Sequence, residues 1–418
     1  MIKQIIVTAC FFLTLASFAQ SGSASPYSYF GIGESRFKGN HENRSMSGVA
    51  IEQDSIHMNI LNPASFAAIK LTTFTVGSGY TSTKIKSDKG DANAQRTTLD
   101  YLAIALPLGK MGVGFGLLPY TSVGYNIESV NSGLNGNNNR LTGSGGLNKA
   151  FLGLGYTVAP NFVVGADIQY NFGSIKNSNL EFTTAIPIGT QVDSKADLTG
   201  LSMNFGAMYQ GKINKNLNYY GSATFMPGST LVSNTAKTIS TVQYDANFAL
   251  VINDFVDLGL IRKDIKIPAK ITLGAGIGQS RKWLLGTQIA YQMSNGGASG
   301  VNNSKNTTYG EQASYSLGGY YIPNYNLYSK YYQKITYRAG LKYSKTGIIT
   351  NSKSIDEMGV TLGFGLPSPY RDSMSNFNIG LEYGKRGTTS NGLIQENYVS
   401  LSLSFSLNEK WFRQSKFN

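Results

Sequence analysis

The residues that could do chemistry are few. His41 and His57 are the two histidines. A Ser–His–acid triad, or a metal held by imidazoles, would need partners at spacings that this chain does not show. Cys10, the single cysteine, sits in an apolar N-terminal run that reads as removable, so the mature chain is expected to hold no disulfide, thiol nucleophile or Cys metal site. The run Gly112-Val113-Gly114-Phe115-Gly116 imitates a phosphate loop. It lies inside an alternating strand with no helix after it, so it fails the context test. Glycine there is expected to allow curvature and close packing in a sheet wall. The reading is a non-enzyme with no catalytic residue, no metal and no cofactor.

Binding chemistry is better supplied. Arg338 and Lys342 fall on one face of a predicted strand and could hold a carboxylate through charge-assisted hydrogen bonds. Glu382, Asp167, Asn171 and Asn204 fall on the same kind of face. An ordinary polar barrel lumen would show that pattern too. Tyr309, Tyr315, Tyr320, Tyr321, Tyr325, Tyr328, Tyr331 and Tyr332 gather in what reads as the longest outer loop. Tyrosine gives rigid amphipathic contact area, and it also fills interfacial girdles.

The elements that must position these groups are strands. Of 418 residues only 14% are charged, while 12% are aromatic and 48 are glycine. A soluble helical enzyme carries roughly 25% charge, and a disordered chain would not carry so many residues that need burial. After the N-terminal run no apolar stretch reaches the ~18 residues of a spanning helix. Met1 to Ala19 has the form of a secretory signal: Lys3, an apolar core from Ile5 to Phe18, then Ser17-Phe18-Ala19 before the cut. With Lys3 removed, the charge is 35 − 23 = +12. On an exported protein that surplus points to lipid headgroups or an anionic ligand rather than nucleic acid.

Alternation begins at Leu71. Val399, Leu401, Leu403, Phe405 and Leu407 share one face, and Ser400, Ser402, Ser404 and Ser406 the other. The same split recurs through the chain in segments near the ~9–11 residues that cross a bilayer. In lipid every backbone group must be paired, and a closed barrel does this without leaving sheet edges. The fold class is therefore all-β: a transmembrane antiparallel β-barrel of about fourteen strands, range twelve to sixteen. The spans are 71–83, 98–108, 112–126, 147–158, 162–176, 199–211, 216–230, 268–279, 283–293, 334–344, 346–354, 357–367, 376–386 and 396–407. Long polar connections such as Leu231–Ile267 and Ser294–Gln333 are expected outside, short turns in the periplasm. Leu231–Ile267 could conceal a further pair of strands. The domain plan is signal 1–19, plug or hatch 20–70, barrel 71–407 and periplasmic tail 408–418.

Gly48-Val49-Ala50, Asp54 and Asn62-Pro63-Ala64 stand in the order found in the hatch of the outer-membrane long-chain fatty-acid transporters (FadL type) and their toluene-uptake relatives. Ile267-Pro268-Ala269, Leu273-Gly274, Trp283 and Tyr291 resemble the Leu-Pro strand and Trp-led strand of that family, and Tyr337-Arg338-Ala339-Gly340-Leu341-Lys342-Tyr343 its Tyr-Arg-x-Gly strand. The resemblance implies passive uptake of a small hydrophobic or amphipathic molecule through the outer membrane of a Gram-negative bacterium. Asn62, Pro63, Ala64, Ser65 and Phe66 would form the plug or gate, and Arg338 and Lys342 would meet a ligand in the lumen. Outer-membrane lipid and lipopolysaccharide would surround the wall. The outer loops look polar and Tyr-rich rather than greasy. The alternative is a non-transporting barrel subunit of a larger outer-membrane complex, such as barrel-assembly or protein-export machinery, with protein partners.

Overall fold

A computed structural model describes residues 22–130, 136–184, 186–294, 306–326, 328–369 and 374–411. The expected signal segment and most of the C-terminal tail lie outside these residues. The strands are β1 (Glu34–Ser35), β2 (Thr72–Ser87), β3 (Gly90–Leu108), β4 (Met111–Ser129), β5 (Asn137–Ala159), β6 (Phe162–Thr183), β7 (Ile188–Lys212), β8 (Asn218–Met226), β9 (Ser229–Tyr244), β10 (Leu250–Ile267), β11 (Lys270–Gln279), β12 (Trp283–Gln292), β13 (Thr307–Tyr309), β14 (Gln312–Tyr321), β15 (Thr336–Thr350), β16 (Lys353–Pro367), β17 (Asn376–Gly387) and β18 (Gln395–Glu409).

Neighbouring strands pair antiparallel, and β18 closes on β2 over its whole length. Of the 18 strands, β1 is a two-residue bridge onto β4, β13 a short addition beside β15, and β9 and β10 continue β8 and β11 beyond the wall. The wall therefore has 18 − 4 = 14 staves, and it is a closed antiparallel barrel. The alternation of the last strand is realised. Val399, Leu401, Leu403 and Leu407 are exposed, while Ser400, Ser402, Ser404 and Ser406 are buried. Arg338, Asp167, Asn171, Asn204 and Glu382 are all buried in the lumen.

Several segment boundaries differ from expectation. The span 346–354 is not a strand of its own. β15 runs through it to Thr350, and Asn351 and Ser352 turn the chain with φ of 51° and 62°. β14 lies within Ser294–Gln333, the stretch whose polarity predicts a loop. The polar connections are mostly tall hairpins: β2 and β3 meet at residues 88–89, and β9 and β10 fill Leu231–Ile267. Tracing β14 downward also moves Tyr325, Tyr328, Tyr331 and Tyr332 to the end of the barrel with the short turns, not the outer end. Of that tyrosine group, Tyr315, Tyr320 and Tyr321 belong to β14 itself.

Residues 22–70 lie against the inward faces of the strands. A one-turn helix, His41–Arg44, is capped by Asn40. A 3-10 turn, Pro63–Ala68, is capped by Asn62 and buried along most of its length. The wall makes room for it with glycine. A Cβ at Gly112 would collide with the Phe66 carbonyl, and one at Gly206 with the Asn62 side chain. The glycine-rich run of β4 thus serves close packing, as its strand context suggests.

Candidate functional site

The Asn62–Phe66 turn is fixed from two sides. Pro63 biases its predecessor toward extended backbone, and Asn62 has φ −132° and ψ 111°. Its Oδ1 accepts from the Ala64 N–H at 3.0 Å. Its Nδ2 reaches the Ser222 hydroxyl at 3.0 Å and the carbonyls of Ala207 and Ala223 at 3.3 Å. Ser65 donates to the Asn59 carbonyl at 2.9 Å. Ala64 is buried against Val163 and Met208, and the Phe66 ring stacks on Phe151 with centroids 6.4 Å apart. All five residues named from sequence therefore sit together where the N-terminal segment meets β4 to β8.

Arg338 and Lys342 do not share a pocket face open to a ligand in the way their spacing suggests. Arg338 donates to Asn378 Oδ1 at 3.0 Å, and Asn378 in turn donates to Glu42 at 2.9 Å. Lys342 lies between two carboxylates, Glu357 at 2.8 Å and Glu382 at 2.6 Å. A carboxylate ligand at Lys342 would have to displace one of them.

Those carboxylates belong to a network absent from the sequence reading. Arg386 pairs with Glu34 at 2.9 Å, Glu357 at 2.8 Å and Glu396 at 3.4 Å. Glu34 also takes Arg96 at 2.7 Å. Arg44 joins Glu382 at 3.0 Å to Asp100 at 3.1 Å. Asp100 further accepts from Arg36 at 3.4 Å and meets His41 Nε2 at 3.0 Å. Burial alone would raise the Glu34 carboxyl, but Arg96, Arg386 and Arg36 hold it well below its usual range. His41, flagged by type, is thus a positioning group for Asp100.

The network closes a seam. β3 and β4 pair only from Leu108↔Met111 up to Leu102↔Leu117. Above that level β4 takes Glu34–Ser35 as its partner instead. The Arg36 amide donates to the Tyr120 carbonyl on β4 at 3.1 Å. On the other side, Arg36 donates to Thr98 at 2.8 Å on β3, and Glu34 holds Arg96. Residues 34–36 therefore stitch two strands that part from one another. Behind the seam lies a cavity of about 360 Å³, lined by charged and hydroxyl side chains together with apolar ones such as Phe37, Leu118 and Phe151.

A second polar cluster lies deeper. His57 Nδ1 meets Asp54 at 2.6 Å and its Nε2 meets Asn376 at 2.9 Å. Tyr320 donates to Glu52 at 3.0 Å. Burial first, then the Asp54 charge, pushes Glu52 up to about 7. For His57 burial opposes the charge, but Asp54 outweighs it and raises the imidazole.

The remaining feature lies outside the lumen. β10 pairs with β9, and no pairing along its other edge occurs among the described residues. Leu250 to Asp264 is exposed throughout, including Phe255 and Leu260 at 64% and 79%. Pro227-Gly228 and Pro268-Ala269 mark where this hairpin leaves the wall.

Comparison with known proteins agrees with this architecture. The Pseudomonas putida toluene transporter TodX matches at a TM-score of 0.56 and 16% identity, over 89% of this chain and 98% of TodX. The Ralstonia pickettii toluene transporter TbuX gives 0.56 and 13%, over 88% and 97%. A Pseudomonas aeruginosa FadL homologue gives 0.59 and 13%, over 92% and 100%. At such identities the likeness is one of fold, which is that of outer-membrane channels of the FadL type. No curated protein sequence matches. The family model described as BamG matches residues 1–418, and the chain belongs to the BamG family.

Proposed function

We propose that this protein is a barrel subunit of a larger outer-membrane assembly, its lumen kept closed by the N-terminal segment. The observation that carries the reading is the β9–β10 hairpin. Its strands have 16 and 18 residues, about 50 Å of reach at the usual strand rise. It shows apolar side chains on both faces and an open edge. Such an edge is a template for another chain and is normally blunted or covered. A protein partner in the outer membrane, as in barrel-assembly or protein-export machinery, would cover it. The ion-paired lumen supports the same reading, because an apolar solute entering the cavity meets the paired charges of Arg36, Arg44, Lys342 and Arg386. Removal of residues 246–261 tests the proposal. The barrel should still fold, while the complex recovered by mild detergent extraction should lose its partners. A truncated protein that keeps every partner would overturn the reading.

A second reading, passive uptake of a small hydrophobic or amphipathic molecule, is favoured by the β3–β4 seam and by the shared fold. Here Asn62, Pro63, Ala64, Ser65 and Phe66 would gate the lumen, and Arg338 and Lys342 would hold a carboxylate head. Equilibrium binding of a fatty acid and its alcohol to the purified barrel separates the two. Saturable binding, with the acid weakened by Arg338→Gln together with Lys342→Gln, would favour uptake. Binding of neither favours the assembly subunit.

A further inference from the structure

Three lysines of the cavity stand apart from the paired network. Lys38 of the N-terminal segment, Lys149 of β5 and Lys270 of β11 line one space. The Lys38 and Lys149 ammoniums lie 4.1 and 4.6 Å from the centroid of the same Tyr120 ring, so they converge. Lys149 donates to Gln169, Gln169 donates to Asp167, and Asp167 accepts from Asn204 at 3.1 Å. No salt bridge among the described residues involves any of the three lysines. By contrast Arg36, Arg44, Arg96, Lys342 and Arg386 each have a carboxylate. Burial, then the charges of Lys149 and Lys270, push the Lys38 ammonium well below its usual value. Asp167 is the carboxylate that acts on Lys149.

The wall beside Lys270 carries hydroxyl and amide groups. Thr272 follows Lys270 on the same face of β11 and lies opposite Thr224 of β8. Both threonines line the cavity with Ser222 and Gln288. Hydroxyls and amides suit oxygen atoms. Phosphate oxygens accept from several ammoniums at once, and a bound dianion would favour the charged form of all three lysines.

We propose that Lys38, Lys149 and Lys270 form a lumenal binding site for a phosphate group, either free or carried by a lipid headgroup. The site is independent of the hairpin and goes beyond the assembly reading. Lys149 is held in place through Gln169, the Tyr120 face supports two ammoniums, and the threonines accept or donate at the rim.

The test is calorimetric titration of the purified full chain, in a phosphorus-free detergent, with inorganic phosphate. Saturable binding is expected. Lys270→Gln should weaken it by about tenfold or more, the effect of one charge-assisted contact. Lys89→Gln, on an exposed turn, should leave it unchanged. Lys38→Gln, off the barrel wall, provides a second variant should Lys270→Gln fold poorly. Native mass spectrometry distinguishes the source. A phospholipid adduct lost in Lys270→Gln assigns a headgroup, whereas phosphate binding without an adduct assigns the free ion. Neither phosphate binding nor an adduct, or equal weakening by Lys89→Gln, overturns the proposal.

Discussion

Arg386 Nη1 meets Glu34 at 2.9 Å across 352 positions of sequence. One guanidinium thereby binds a hairpin near the end of the chain to the segment that bridges the β3–β4 seam. Arg386 also serves Glu357 and Glu396. A buried pair is weak evidence for net stability, but removing one partner strands the other.

Arg386→Met should therefore be severe. It leaves three buried carboxylates short of a cation, at a cost of about 3–5 kcal/mol. The loss should appear as faster proteolysis within residues 22–45 while the barrel stays intact. Glu34→Gln keeps a hydrogen-bonding group in place and should cost less. Equal protease resistance of wild type and Arg386→Met would reject the seam as an ion-pair closure.

The wall has its own test. Leu403→Arg should cost about 2–4 kcal/mol in reversible urea unfolding, as for a cation on the lipid face near the midplane. Ser402→Ala should cost about 1 kcal/mol or less, the net worth of one hydrogen bond, here to the Gly380 carbonyl at 3.2 Å. Similar losses at both positions would place the register one residue out.

Much of this wall was legible because lipid demands a strict code. Wherever one face meets hydrocarbon, alternation is unavoidable, and β17 and β18 follow it residue by residue. The count of fourteen agrees through two offsetting boundary differences. β14 carries Gly318-Gly319 and serines, which look like loop. Yet a Cβ at Gly318 would collide with Met46 of the N-terminal segment, so the missing side chain belongs to packing, not to a turn. The polar run Ser344-Lys345-Thr346 looks like a turn because β15 rises above the bilayer there, and a strand wet on both faces owes no alternation. β10 hides for the opposite reason, being apolar on both faces. The ion network was illegible because its members are far apart in sequence, and only the closed barrel brings Glu34 to Arg386. Lys149 could have been found. Leu147, Lys149 and Phe151 are all buried on alternate positions of β5, and a lysine in that phase marks the lumen.

Removal of residues 22–70 should open the barrel. Fourteen staves enclose more space than their own side chains fill. Single-channel conductance in planar bilayers should rise, and cells carrying the truncated protein should become sensitive to bulky antibiotics. Unchanged conductance would mean that the segment does not occlude the lumen.

The Glu52–Asp54–His57 cluster should make that segment respond to pH. Glu52 titrates near 7 when docked, above an unfolded value of about 4.3. The docked state therefore holds more protons, and its stability falls as pH rises from about 4.3 through 7. His57 is also raised. Its contribution is complete below about 6.5, the unfolded value, and is lost as pH climbs through the docked value. Both groups loosen the segment in the same direction. Asp54, held at about 2 chiefly by His57 against the pull of burial, gives way only under strong acid and is silent here. Hydrogen exchange of the amides from Ala50 to Met58 should accordingly be faster at pH 8 than at pH 6, after correction for intrinsic rates. Glu52→Gln removes one titrating group while keeping an acceptor for Tyr320, so the contrast should shrink and His57 alone should sustain the remainder. Exchange that is equal at the two pH values in the wild-type protein would show that Glu52 and His57 do not govern docking.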